Sequence, residues 1–112
     1  MSINQVAIAG NVVRDPELRE GAAGSCALSL TVAVDDRRRN ADTGEWESVP
    51  NYVDVVMFGS RARALAGRLA KGAKVAVAGK LRWQSWERDG QTRTKIDVVA
   101  DEVEFLSSLK AG

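Results

Sequence analysis

Residues Asn51–Gly72 read N-Y-V-D-V-V-M-F-G-S-R-A-R-A-L-A-G-R-L-A-K-G, and the spacing of their apolar side chains changes at Gly59. Up to Phe58 the pattern has a period of two. Successive strand side chains face opposite sides, so Val53, Val55 and Met57 point one way and Tyr52, Asp54, Val56 and Phe58 the other. The first set suffices for a core. The second puts two aromatic rings on the opposite face with a carboxylate between them, which suits an interface or a platform for stacking. If the face assignment is off by one, Phe58 becomes ordinary core. From Ser60 to Lys71 the pattern switches to helix, with Ala62, Leu65, Ala66 and Leu69 at i, i+3, i+4 and i+7. Ser60 is a suitable N-cap and Gly72 a suitable stop.

Strand signals lie on both sides of this segment. Gln5–Val13 reads as a first strand, ended by Asp15 and Pro16. Cys26, Leu28, Leu30, Val32 and Val34 alternate with Ala27, Ser29, Thr31, Ala33 and Asp35, which predicts a second strand. Asp36–Val49 is charged and reads as a long loop or the tip of a hairpin. Lys74–Trp86 is a fourth strand, with Val75, Val77, Leu81 and Trp83 on the core side and Lys80, Arg82 and Trp86 opposite. Asp89-Gly90 signals a hairpin into a fifth strand from Thr92 to Ala100, which Val103, Phe105 and Leu106 close. The expected fold is all-β with one helix: a five-stranded OB-fold barrel (Greek key), with the helix between strands three and four. Small SH3-like barrels compete, but they rarely carry a helix at that place.

With 112 residues, 45% of them hydrophobic and 28% charged, the chain suits one globular domain. No apolar run is long enough to span a bilayer, so no membrane partner is expected. The first residues have neither the basic nor the apolar region of a signal peptide. Cys26 is the single cysteine and reads as a small buried hydrophobe, in keeping with a reducing compartment. The net charge of +1 hides an uneven distribution. Residues 1–60 hold 5 Lys/Arg against 9 Asp/Glu, residues 61–95 hold 10 against 2, and residues 96–112 hold 1 against 4. The middle block is therefore strongly cationic, the footprint expected for a polyanion if those charges share a face.

The aromatic residues fall in or beside that block. Tyr52, Phe58 and Trp86 lie on the non-core faces of their strands; Trp46, in the charged segment, either joins them or packs down on the barrel. Arg37 and Arg38 begin the charged segment, Lys80 and Arg82 share a face with Trp86, and Arg88 and Arg93 flank the last hairpin; Lys71 and Lys95 are weaker candidates. Rings stack on bases and cations follow phosphates, and neither contact depends on base sequence. Nothing resembles a recognition helix for duplex DNA. Enzyme chemistry finds little support. The chain has no His, its one Cys has no base partner, and Asp35 and Asp36 point to opposite faces of a strand. No phosphate-binding glycine motif is present, and no metal or cofactor is implied.

The chain resembles bacterial single-stranded DNA-binding proteins of the homotetrameric OB-fold type. The matching pieces run in the family's order from Asn4 to about Leu106: N-Q-V-A-I-A-G-N-V-V-R-D-P-E-L-R, A-D-T-G-E, Y-V-D-V-V-M-F-G, K-G-A-K-V-A-V-A-G-K-L-R and W-x-R-D-G-Q. The resemblance implies a non-enzymatic, sequence-tolerant binder of single-stranded DNA (ssDNA), cytoplasmic and nucleoid-associated, acting in replication, repair and recombination. Residues 1–106 would form the binding domain and 107–112 a frayed C-terminal end. It implies stacking roles for Tyr52, Phe58 and Trp86, with Trp46 a further ring, and backbone contacts from Arg37, Arg38, Lys80, Arg82, Arg88 and Arg93. Where the family has a tryptophan early in the long loop, this chain has Arg38, whose guanidinium can itself stack. The resemblance also implies a homotetramer, a dimer of dimers through the first strand around Val6 and Ile8. The family's acidic tail, which recruits replication and repair proteins, is absent from this sequence, so such partners are expected only where a tail exists. Two rival readings remain open: an OB-fold accessory of the replication machinery acting mainly through protein contacts, and an OB-fold nuclease.

Overall fold

A computed structural model describes residues 2–106. The strands are β1 (Val6–Val12), β2 (Glu17–Glu20), β3 (Cys26–Arg39), β4 (Trp46–Phe58), β5 (Lys74–Arg88) and β6 (Gln91–Phe105), with α1 (Ser60–Ala66) between β4 and β5. They form one sheet in the order β1-β5-β6-β4-β3-β2, and a further pairing of β1 with β3 closes it. Five strands make the barrel, and β2 lies along the edge of β3. The only parallel pairing among them joins β4 to β6, through Val55–Val98 and Val56–Val99. This is the expected OB-fold, with the helix after the third barrel strand.

Closure depends on a glycine. β1 leaves β5 and joins β3 at Asn11 and Val12. At Gly10 a Cβ would lie 2.1 Å from the Ala33 carbonyl oxygen, so only glycine permits this approach. The core is Leu28, Leu30 and Val32 of β3, Val55 and Met57 of β4, Val75 and Val77 of β5, and Val98 and Ala100 of β6, with Val12 of β1 and Ala62 and Leu69 beneath the helical segment. Truncating one of the larger of these side chains to Ala typically costs about 2–5 kcal/mol. Cys26 is buried as expected, and its thiol donates to the Gly59 carbonyl.

Several expectations are corrected. Beside the five barrel strands the described residues include a short sixth that was not expected: β2 reads E-L-R-E, has no apolar period of its own, and exists because it pairs with Cys26–Ser29 of β3. The helix ends at Ala66 rather than Lys71, because Gly67 takes the C-cap. Ser60 is already helical, and Gly59, at a φ of 93°, is the N-cap. Even so, Leu69 stays buried on the same stripe. Of the two readings of the charged segment, the structure has the hairpin. Asp36–Arg39 pairs with Trp46–Val49, and only Asn40–Glu45 turns. The Asn40 side-chain oxygen ties that turn by accepting from the Asp42 and Thr43 amides. Leu81 and Trp83 keep their core-side parity but not their burial. β5 and β6 run on past the barrel as a two-stranded arm, leaving Trp83 64% exposed beside its partner Ile96. The frayed end expected over 107–112 lies outside the described residues.

Candidate nucleic-acid interface

The outer face of β3, β4, β6 and β5 is built by strand alternation. Residues paired across strands share a face. On β4 this face carries Trp46, Tyr52, Asp54 and Phe58, opposite Arg39, Ala33, Thr31 and Ala27 of β3. On the β5–β6 arm it carries Arg82 opposite Asp97, Gln84 opposite Lys95, Trp86 opposite Arg93 and Arg88 opposite Gln91. The parallel pairing of β4 with β6 joins the two halves side by side.

Four rings on this surface are open to solvent: Trp46 is 60% exposed, Tyr52 67%, Phe58 49% and Trp86 42%. Rings of this size are normally interred when they serve a core. Six residues of strand separate Tyr52 from Phe58, a span of about 20 Å. Val56 shares their parity but is buried, so it contributes support rather than contact.

The cations divide into two groups. Arg82 is engaged on both sides. Its Nε and Nη2 donate to the two carboxylate oxygens of Asp97 at 3.2 and 2.9 Å, and its guanidinium lies over the Phe58 ring, 5.5 Å from the centroid. Asp97 is 4% exposed, and Gln84 donates to it at 3.1 Å. Lys95 pairs with Asp54 at 3.6 Å, and the buried Thr31 hydroxyl donates to the same carboxylate at 3.1 Å. The carboxylate between the two rings of β4 therefore has a lysine of β6 as its cation. In the second group, Lys80, Arg38, Arg88 and Arg93 are exposed and make no ion pair among the described residues. Arg37 lies over the Trp46 ring, 5.9 Å from the centroid.

Most residues singled out from the sequence therefore meet on one surface. Arg38 and Lys71 are exceptions. The cross-strand partner of Arg38 is Glu47, so Arg38 occupies the opposite face of the β3–β4 hairpin from Trp46 and Arg37. Lys71 stands away from the rings, in the turn after the helical segment, its amide held by Asp15. The Gln84–Asp97 support and the Thr31–Asp54–Lys95 link were missed; Arg39, beside Arg38 in the charged segment, faces Trp46. Among the described residues no group of three or more His, Cys, Asp or Glu is arranged to hold a metal, and no helix is long and apolar enough to cross a membrane.

A five-stranded OB barrel with exposed rings and unpaired cations on one face has the form of a nucleic-acid-binding module. Comparison with known proteins is specific: residues 3–106 match the Single-strand binding protein family, and the chain belongs to that family. It is 36% identical over 110 residues to a single-stranded DNA-binding protein of Treponema pallidum, covering 98% of this chain and 61% of that one. It is 34% identical over 108 residues to a single-stranded DNA-binding protein of Borreliella burgdorferi, covering 95% and 71%. The chain thus spans about three-fifths of the Treponema relative's length. In fold it is similar to the Plasmodium falciparum SSB in a complex with ssDNA, at a TM-score of 0.85 and 21% identity, covering 96% of this chain and 97% of that one.

Proposed function

We propose that this chain binds single-stranded DNA with little regard for sequence and protects it during replication, repair and recombination. The observation that carries the reading is the set of exposed rings, Tyr52, Phe58 and Trp86, on one outer face bordered by Lys80, Arg88 and Arg93, which are unpaired among the described residues. Bases stack on the three rings, and Trp46 extends the row along the β3–β4 hairpin. Stacking contributes about 1–3 kcal/mol per base, and every base offers a flat face. Lys80, Arg88 and Arg93, with Arg37 on the other hairpin, follow the phosphates; Arg38, expected among them, lies on the opposite face of that hairpin. Arg82, expected among them, already carries Asp97 as its counter-ion. The mechanism is binding, with no covalent step, and neither metal nor cofactor enters it. Family membership and the names of the relatives support the same reading.

The binding unit is a homotetramer, a dimer of dimers, working in the cytoplasm on the nucleoid. Support comes from β1. Its Val6–Gly10 edge pairs with β5 on one side and, among the described residues, is open on the other. Unpaired edges favour pairing with a second chain. Val6 and Ile8 turn their side chains toward the core, so the backbone edge and the small side chains of Ala7 and Ala9 are what β1 presents. The accessory-protein reading is favoured by one observation, the exposed apolar Leu81, Trp83 and Ile96 on the reverse of the β5–β6 arm. A competition titration separates the two. A labelled thymine oligomer bound by the protein is displaced by unlabelled single strand but not by an equal length of duplex. No binding at low salt would leave the accessory reading in its place.

A further inference from the structure

Arg82 differs from every other cation on the ring face, since it is matched from two directions before any ligand arrives. Asp97 takes the Nε–Nη2 edge of the guanidinium with both carboxylate oxygens, and the flat of the same guanidinium rests over Phe58. Asp97 is itself fixed by Gln84 and buried, so it has little freedom to release the arginine. A bidentate arginine–carboxylate pair has a set plane, which a lysine cannot reproduce.

We propose that Arg82 is a positioning residue for Phe58 and not a phosphate contact: Gln84 and Asp97 hold the guanidinium, and the guanidinium holds the ring against one side so that its other side is presented to a base. The ligand's charge then falls to Lys80, Arg88 and Arg93 on the arm and Arg37 on the other hairpin, none of which makes an ion pair among the described residues. The centre of the surface becomes a nearly neutral stacking floor, because Lys95 is likewise matched by Asp54. Electrostatic attraction is concentrated toward the barrel end of the arm at Lys80 and its tip at Arg88 and Arg93. The inference rests on the ssDNA reading and assigns the source of its salt dependence.

The test compares the slope of log affinity against log salt for a thymine oligomer. Removing one phosphate-binding cation from a single-strand site lowers the slope by about 0.7. Arg93→Gln serves as the reference and is expected to show that decrease. Arg82→Lys keeps the charge and loses the fork; it is expected to weaken binding about two- to fivefold at unchanged slope, the range of an exposed cation–ring contact. The double variant Arg82→Gln/Asp97→Asn removes the pair without leaving a buried lone carboxylate and is expected to behave the same way. Adding Phe58→Leu to Arg82→Lys should cost less than the product of the two single effects, since the residues act together. Wild-type affinity in Arg82→Lys, or a slope lowered by about 0.7 in the double variant, overturns the assignment. Failure of the unmodified protein to bind the oligomer at low salt would instead sink the ssDNA reading.

Discussion

Trp86→Ala separates a stacking surface from a core. Trp86 sits on the outer face of the β5–β6 arm, opposite Arg93, and is 42% exposed with no place in the buried cluster. Its removal takes away one base platform, worth about 1–3 kcal/mol, which is about a 5- to 150-fold loss of affinity. Stability should change by less than about 1 kcal/mol, since no cavity is opened and no buried polar group is left without a partner. The salt slope should stay the same, because the side chain removed is a neutral ring that neutralises no phosphate. The assay is fluorescence anisotropy of a labelled thymine oligomer at several salt concentrations, paired with urea unfolding of both proteins. Loss of the folded state would show that Trp86 is structural. Undiminished affinity in a fully folded variant would show that bases do not stack there, and the ring face would lose its strongest member.

Two further substitutions probe the barrel and its electrostatics. Gly10→Ala places a methyl group against the Ala33 carbonyl, where β1 crosses to β3, and should lower stability by about 1–3 kcal/mol or more, read as a fall in the melting midpoint. Asp54→Asn keeps an acceptor for the Thr31 hydroxyl but removes the charge that holds Lys95. Affinity for ssDNA at low salt should then rise about 1.5- to 5-fold, the scale of one exposed charge interaction, with the melting midpoint close to that of the original protein.

The barrel was legible because its signals are local. Alternation over Cys26–Asp35 and Asn51–Phe58 separated inner from outer faces correctly, and the change of period after Gly59 placed the helix. β2 was not legible, since a short, mostly polar stretch becomes a strand only by lying against β3. Leu81 and Trp83 show a related limit: period reports which side a residue faces, not whether the barrel extends far enough to cover it. The Arg82–Asp97 pair was within reach and missed. Asp89 and Gly90, at φ of 55° and 77°, make a two-residue turn that sets Arg88 against Gln91, and counting back along both strands brings Arg82 opposite Asp97 and Trp86 opposite Arg93. The six-residue turn of the other hairpin fixes no such register in advance, so Thr31 opposite Asp54 required the fold.

The most direct test of single-strand binding through stacking and phosphate contact is a titration of intrinsic tryptophan fluorescence with a thymine oligomer across a salt series, run beside a duplex of equal length. The account predicts saturable quenching, affinity that falls linearly on a log–log plot as salt rises, and far weaker binding of the duplex. Equal affinity for duplex and single strand, or binding that leaves the fluorescence unchanged, would contradict it.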